Sequence, residues 1–285
     1  MMASGAVTKA QVADEIQLGN VEFEKIAVFA KRRFGLSLSE SKRPLVQSRL
    51  SRRLRRLRVG SFADYFSMLE DPGNANESTE LLSLLTTNVT QFFREAHHFD
   101  TLRNDVLPPL LDAARGGARV RIWSAGCSTG PEPYSIAMVI KALCPNAHKL
   151  NVKVLGTDID PVVVRQAMVA DYSAKELTQI PAAYKSAINS GSEGGPRISE
   201  EVKSLVSFGT LNLIEPFPFS GKFDAIFCRN VAIYFDKATQ QDVWQSFANY
   251  MTPNGFLFLG HSERLSGPAQ KQFKNVGITT YRRNG

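Results

Sequence analysis

The segment VRIWSAGCSTGPE places Gly126 and Gly130 in a GxxxG loop, with Glu132 two residues beyond it. A glycine loop that leaves a short apolar strand and enters a helix lets a ligand approach the backbone at the strand's carboxyl end. The spacing is not GxGxxG and the loop holds no positive side chain. An acid at the helix start disfavours a phosphate there and suits an amino group or a sulfonium. Asp158 closes the next apolar run, KVLGTDID, at the distance where an acid can hold ribose hydroxyls. Asp160, followed by Pro161, is better explained as a helix N-cap. A ligand with ribose, a positive centre and no phosphate describes S-adenosylmethionine.

Other reactive residue types read more plainly. His97 and His98 invite a metal, but no second ligand pair is spaced to help them, so they read as structural. Cys127, Cys144 and Cys228 lie far apart with no CxxC pair, which opposes a disulfide framework or a zinc site and fits a reducing compartment. Cys127 and Cys228 read as small buried residues, because no activating partner is visible. Taken alone, Arg94 is equally a surface ion pair with Glu95 or Asp100, and Tyr234, in the mostly apolar run 231–235, is core packing.

The elements that must position these residues alternate. VRIWSAG, KVLGTDID, FDAIFCRN and GFLFLGH read as strands, and 133–143, 161–170 and 238–251 as helices. Strands so continuously apolar imply a parallel sheet covered on both faces. From 182 to 207 the alternation stops, and an inserted β-subdomain around the SGSEGGP turn is expected. The stretch 97–114 predicts a helix broken at Pro108-Pro109. Residues 1 to about 20 are small and polar. The first ~90 residues otherwise read as helices: 21–34, one starting near Pro44 with Val46, Leu50, Leu54 and Leu57 as its stripe, 62–69 and 80–85.

The formal charge of +7 on 285 residues is concentrated. Between Lys31 and Arg58 stand eleven basic side chains and one acid, Glu40, a net +10, which leaves −3 on the other 257 residues. Ordinary composition excludes a disordered or collagen-like chain. No signal peptide and no run near the roughly 20 apolar residues of a membrane span are visible, so a cytoplasmic protein is expected. Eight basic residues without an acid from Lys42 to Arg58 repel one another on a helix. A docking surface through Arg49, Arg52, Arg53 and Arg56 explains the cluster better than a solvated face. By charge alone its partner could be RNA or DNA phosphate.

Six blocks carry a resemblance: TTNVTQFFREAHHF (86–99), SAGCSTGPEPYSIA (124–137), GTDIDP (156–161), LNLIEP (211–216), FDAIFCRNVAIYFD (223–236) and GHSERL (260–265). In this order they resemble the bacterial chemotaxis receptor glutamate O-methyltransferases (the CheR family) over nearly the whole chain. The resemblance implies an α/β fold: a Rossmann-like S-adenosylmethionine-dependent methyltransferase domain (91–285) with a small antiparallel β-subdomain at about 182–207. An all-helical, receptor-docking N-terminal domain (1–90) precedes it. It implies methyl transfer from S-adenosylmethionine to chemoreceptor glutamates, giving glutamyl methyl esters and S-adenosylhomocysteine. Carried over by motif, Asn88, Thr90 and Arg94 lie at the cofactor, with Arg94 also facing the substrate. Glu132 meets the methionine moiety, beside the Gly126 loop, and Asp158 the ribose. Asn212 and Leu213 hold the adenine, Asn230 and Val231 complete the wall, and Tyr234 stands beside the transferred methyl.

Two positions depart from the family pattern. Pro131 stands where a second glutamate is frequent, and Ala232 replaces a larger apolar residue. The implied partners are the acidic cytoplasmic methylation helices of chemoreceptors, with room for a regulatory adaptor protein, no nucleic acid and no membrane insertion. The implied place is the cytoplasm, at membrane chemoreceptor arrays. Two rival readings compete with this one. A nucleic-acid methyltransferase is motivated by the basic helix, although CRNVAIYF stands where DNA amino-methylases carry Asn/Asp-Pro-Pro-aromatic. The other is a non-catalytic adaptor that senses S-adenosylmethionine.

Overall fold

The computed structural model describes residues 17–189 and 195–285. The polar start (1–16) and most of the expected SGSEGGP turn (190–194) lie outside the described residues. The chain forms two compact units. Among the described residues, one comprises 17–29 together with 38–85, the other 30–37 with 86–189 and 195–285.

The first unit is helical. It contains most of α1 (Asn20–Phe34), then α2 (Arg43–Leu57), α3 (Phe62–Glu70) and α4 (Ala75–Leu85). Pro44 sits in the first turn of α2, where its missing N–H has no intrahelical partner to lose. Ser61 caps α3 by accepting the Asp64 N–H at 3.1 Å. The stripe Val46, Leu50 and Leu54 is buried with Phe62, Tyr65, Leu81 and Leu82, as the periodicity requires.

The basic face of α2 divides on burial. Arg53 donates from Nε and Nη2 to the two oxygens of Glu77 at 3.0 and 2.6 Å, and its Nη1 lies 3.1 Å from Glu80. Tyr65 Oη donates to the same Glu77 at 2.9 Å. Only 13% of the Arg53 side chain is exposed. Of the four arginines expected to dock, Arg53 is thus the one turned inward, and its guanidinium ties α2 to α4. Arg49, half-buried, donates to the Leu84 carbonyl at 2.7 Å. Arg52, Arg55 and Arg56 remain exposed.

The second unit is built on a seven-stranded sheet of order β5-β2-β1-β6-β7-β9-β8. Strands β1 (Val120–Ala125), β2 (Val152–Asp158), β5 (Val206–Thr210), β6 (Phe223–Cys228) and β7 (Met251–Leu259) are parallel, while β9 (Thr280–Arg283) runs antiparallel between β7 and β8 (Phe273–Gly277). Side chains alternate between two cores. Ile122, Ala225, Phe227 and Phe258 enter one, and Trp123, Ile226, Cys228 and Leu257 the other. Helices α7 (Pro131–Leu143), α8 (Pro161–Val169) and α11 (Lys237–Asn249) are among the connections. The short helices α9 (Ala174–Thr178) and α10 (Glu200–Leu205) flank a two-residue antiparallel pair, β3 (Ile188–Asn189) with β4 (Arg197–Ile198).

Three strands escaped the sequence pattern. β5, read as insertion up to 207, is a short, half-buried edge strand, and β8 and β9 are short and largely polar. The connecting helix also breaks earlier than expected. α5 (Ala96–Thr101) and α6 (Leu107–Arg115) flank a π turn at Leu102–Val106. Pro108 and Pro109 cannot donate back to the carbonyls of Asn104 and Asp105, and the widened turn lies there. Among the described residues no helix is long and apolar enough to cross a membrane.

Candidate functional site

The strand order reverses between β1 and its neighbours β2 and β6, and the carboxyl ends of these three strands open on a cleft of about 940 Å³. Such switch points are where open α/β sheets bind ligands. Asn88, Thr90, Arg94, Gly126, Glu132, Asp158, Asn212, Leu213, Asn230, Val231 and Tyr234 all line this cleft.

The glycine loop is set by close approach. Gly126 has φ +87°, and a Cβ there would lie 2.2 Å from Val231 Cγ2, so any side chain would displace the cleft wall. Gly130, at φ +97°, caps α7, and a Cβ on it would meet the Tyr172 hydroxyl and Ala167. Pro131 takes the first position of α7, where no N–H is needed.

Glu132 lies in the first turn of α7 with 12% of its side chain exposed. Its Oε1 accepts from Ser124 Oγ at 2.7 Å and its Oε2 from Arg229 Nη1 at 3.0 Å. Burial pushes its carboxyl above the ordinary range, against the pull of Arg229 and Ser124. Asp158 accepts the Ser128 and Asp160 N–H groups at 2.8 and 3.1 Å, one on each oxygen. Burial raises this carboxyl too, while those N–H groups oppose the shift. Each carboxylate oxygen offers more than one lone pair, so both functions of Asp158, fastening its turn and meeting a ligand, are compatible. Asp160 caps α8 through the Val162 N–H at 2.8 Å and also accepts from Asn88 Nδ2 at 3.3 Å.

Across the cleft, Arg94 is half-buried and its Nη1 donates to the Val89 carbonyl at 3.2 Å. Tyr234 places its hydroxyl 3.3 Å from the backbone N and O of Thr87. Asn212 Nδ2 donates to the Arg33 carbonyl and to Glu215, which fixes the LNL turn beside buried Leu213. Asn230 adopts φ 59° and its buried Oδ1 has no hydrogen-bond partner among the described residues. A buried amide oxygen left in this state, at a cleft wall, is a natural acceptor for a bound ligand's N–H or O–H.

Sequence reading missed Arg229. Its side chain is 2% exposed, and besides Glu132 it donates to the Arg94 carbonyl and lies 3.5 Å from Glu95. A charge next to an apolar strand in IFCRN was the available signal. This guanidinium also accounts for the neighbouring histidines. Ligand-type atoms of Glu95, His97 and His98 lie within 4.8 Å of one another. The positive charge beside Glu95 is that of Arg229, which opposes a metal cation there. Glu95 is held below the ordinary carboxylate range: burial works against this, and Arg229 and His98 outweigh it. His98 is pushed down to about 3, chiefly by burial and then by Arg229. Burial raises the thiols of Cys127 and Cys228 well above their ordinary value, which disfavours the thiolate that a nucleophile needs.

Comparison with known proteins covers both units. The family model for the CheR methyltransferase all-alpha domain matches residues 21–86, and that for the CheR methyltransferase SAM binding domain matches 88–282. A probable chemotaxis protein methyltransferase of Rhizobium etli is 48% identical over 252 residues, 87% of this chain and 94% of that protein. The chemotaxis protein methyltransferase of Borreliella burgdorferi is 37% identical, covering 94% of this chain and 96% of its own. That of Salmonella typhimurium is 39% identical, covering 95% and 93%.

Proposed function

Because the chain belongs to the CheR methyltransferase family, we propose that it methylates glutamate side chains of chemoreceptors, using S-adenosylmethionine, to give glutamyl methyl esters and S-adenosylhomocysteine. The observation that carries this reading is the switch-point cleft, which joins two ligand-facing acids, Glu132 and Asp158, to an arginine and a tyrosine, Arg94 and Tyr234. Bound S-adenosylmethionine supplies a methyl group activated by the positive sulfur.

The residues present suit that ligand. Asp158 holds the ribose hydroxyls and Glu132 the amino end of the methionine moiety. Asn212 and Leu213 bracket the adenine, with Asn88, Thr90, Gly126, Asn230 and Val231 completing the enclosure. The orphan Oδ1 of Asn230 is an acceptor awaiting a donor, and Gly126 lets the ligand reach the backbone. No general base is required, since a glutamate is already ionised at neutral pH. Arg94 fixes the plane of the incoming carboxylate through its forked donors, and Tyr234 borders the reacting centre without adding charge. Held there by Glu132 and Asp158, the cofactor would offer its methyl group for in-line displacement by a carboxylate oxygen that Arg94 orients. An anion and a cation become two neutral products, so excluding water from the cleft favours the step.

The exposed Arg52 and Arg56, with Arg55, steer the acidic receptor helices, and Arg49 contributes from the edge of that face. On this reading the enzyme works at the chemoreceptor arrays of the membrane. Radiolabelled methyl transfer tests the reading. Alkali-labile label on receptor-containing membranes supports it. Label on RNA or DNA, or cofactor binding without transfer, overturns it.

A further inference from the structure

The block GHSERL contains a buried acid, Glu263, just outside the cleft lining. Glu263 is 5% exposed and meets no basic side chain among the described residues. Its carboxylate instead accepts four backbone N–H groups. Oε2 accepts from Asn230 at 2.9 Å and Gly260 at 2.7 Å, and Oε1 from Val231 at 3.0 Å and Ile233 at 3.3 Å.

Three of these donors belong to one loop, the exit from β6, which carries Asn230, Val231 and Tyr234 into the cleft. That loop is irregular. Asn230 lies in the left-handed region at φ 59°, and the turn that follows is a single 3-10 turn at Ala232–Tyr234. Such a loop has no ladder to satisfy its N–H groups, and a buried unsatisfied N–H costs about 1–3 kcal/mol. One carboxylate satisfies three of them and joins them to the end of β7 through Gly260. The joint is tight. A Cβ on Gly260 would lie 2.7 Å from Asn230 N and 2.8 Å from Glu263 Oε2. Burial pushes the Glu263 carboxyl up, against the pull of the surrounding N–H groups.

We propose that Glu263 is a positioning residue for the methyl-transfer site: its carboxylate brackets the Asn230–Ile233 loop against the end of β7 and so sets the cofactor-facing wall at Asn230, Val231 and Tyr234. The inference rests on the cofactor reading above and extends it to a residue outside the cleft lining. A bracket of this kind needs two acceptor oxygens. Glutamine keeps the size but offers one, and its amide N–H₂ would face two N–H donors.

The test is calorimetric titration with S-adenosylhomocysteine, alongside thermal denaturation, on wild type, Glu263→Gln, Gly260→Ala and Met251→Ala. Met251 is buried at the opposite end of β7, so its variant loses stability without touching the bracket. At a temperature where all four are folded, Glu263→Gln and Gly260→Ala should weaken binding about tenfold or more, the equivalent of one charge-assisted hydrogen bond. Met251→Ala should bind as wild type despite a lowered Tm. In turnover assays the two bracket variants should raise KM for S-adenosylmethionine and lower kcat while leaving KM for receptor unchanged. If Glu263→Gln fails to fold, Gly260→Ala carries the comparison. Wild-type affinity in the folded bracket variants, or an equal loss in Met251→Ala, would overturn the bracket alone. A wild-type chain that binds no S-adenosylhomocysteine would overturn the cofactor reading, and the bracket's role with it.

Discussion

Arg229 donates to Glu132 at 3.0 Å from the end of one strand to the start of a helix, and both side chains are almost withdrawn from water. The pair is what allows an acid to stand at the cleft wall, because Arg229 offsets part of the cost of burying its charge. Burial nevertheless leaves the Glu132 carboxyl above the ordinary range. The ammonium group of the ligand's amino-acid moiety prefers the ionised acid, so affinity should rise with pH through the raised value and then level off. We expect S-adenosylhomocysteine affinity, measured by calorimetry, to fall between pH 7 and 5 in wild type. In Glu132→Gln it should be about tenfold weaker at pH 7 and flat with pH. A Glu132→Gln titration with the wild-type slope would assign the dependence to another group.

His98 gives a second pH signature, this time of stability. Its ring is fully buried, with Nε2 3.1 Å from Thr279 Oγ1 and 3.2 Å from the Ile278 carbonyl, and its folded value is about 3 against an ordinary 6.5. The unfolded chain takes up a proton at higher pH than the folded one. Folded-state stability is therefore complete above about pH 6.5 and is lost as pH falls towards 3. The urea midpoint should decline from pH 6.5 to 4.5 in wild type and decline less in His98→Asn, each compared with its own value at pH 7.5. Equal slopes in the two proteins would refute the assignment.

Much of this site was legible because its parts sit at strand ends in a repeating pattern. GxxxG, Glu132 and Asp158 follow apolar runs whose alternation defines the sheet, so the sequence alone puts each at a strand end. Arg229 was hidden by the same rule, since it follows an apolar strand closely and reads as part of its flank. Glu263 was hidden because its partners are backbone groups, three of them 30 or more residues away, which carry no sequence signal. Arg53 and Arg56 are indistinguishable as letters in one basic run. Only the position of Glu77 on another helix decides which of them turns inward.

On the proposed reading, Arg94 is the group on which the chemistry most depends. Its side chain donates one hydrogen bond, to the Val89 carbonyl, leaving most of its five donors for a carboxylate. Arg94→Ala should reduce kcat/KM for methyl transfer by at least 10²-fold, about 2.7 kcal/mol of transition-state stabilisation, with Tm nearly unchanged. Arg94→Lys should recover little, because an ammonium cannot hold both carboxylate oxygens in one plane. Near-normal turnover in the alanine variant would remove Arg94 from the reaction.

The division of the basic helix makes the sharpest contrast between stability and docking. Arg53 is bound by both oxygens of Glu77, itself 7% exposed and shared with Tyr65. Removing it strands a buried carboxylate, so Arg53→Ala should destabilise the helical unit by on the order of 3 kcal/mol. Arg52 and Arg56 are exposed, and alanine at either should change stability by no more than about 0.5 kcal/mol. Charge reversal at both, Arg52→Glu with Arg56→Glu, should raise KM for receptor and flatten its dependence on salt, because it reverses the steering field. S-adenosylhomocysteine affinity should be untouched. Denaturation midpoints and receptor titrations at two ionic strengths distinguish the two classes. If Arg53→Ala kept full stability, or the double reversal left the salt dependence intact, the division of this helix into an inward tie and an outward face would be wrong.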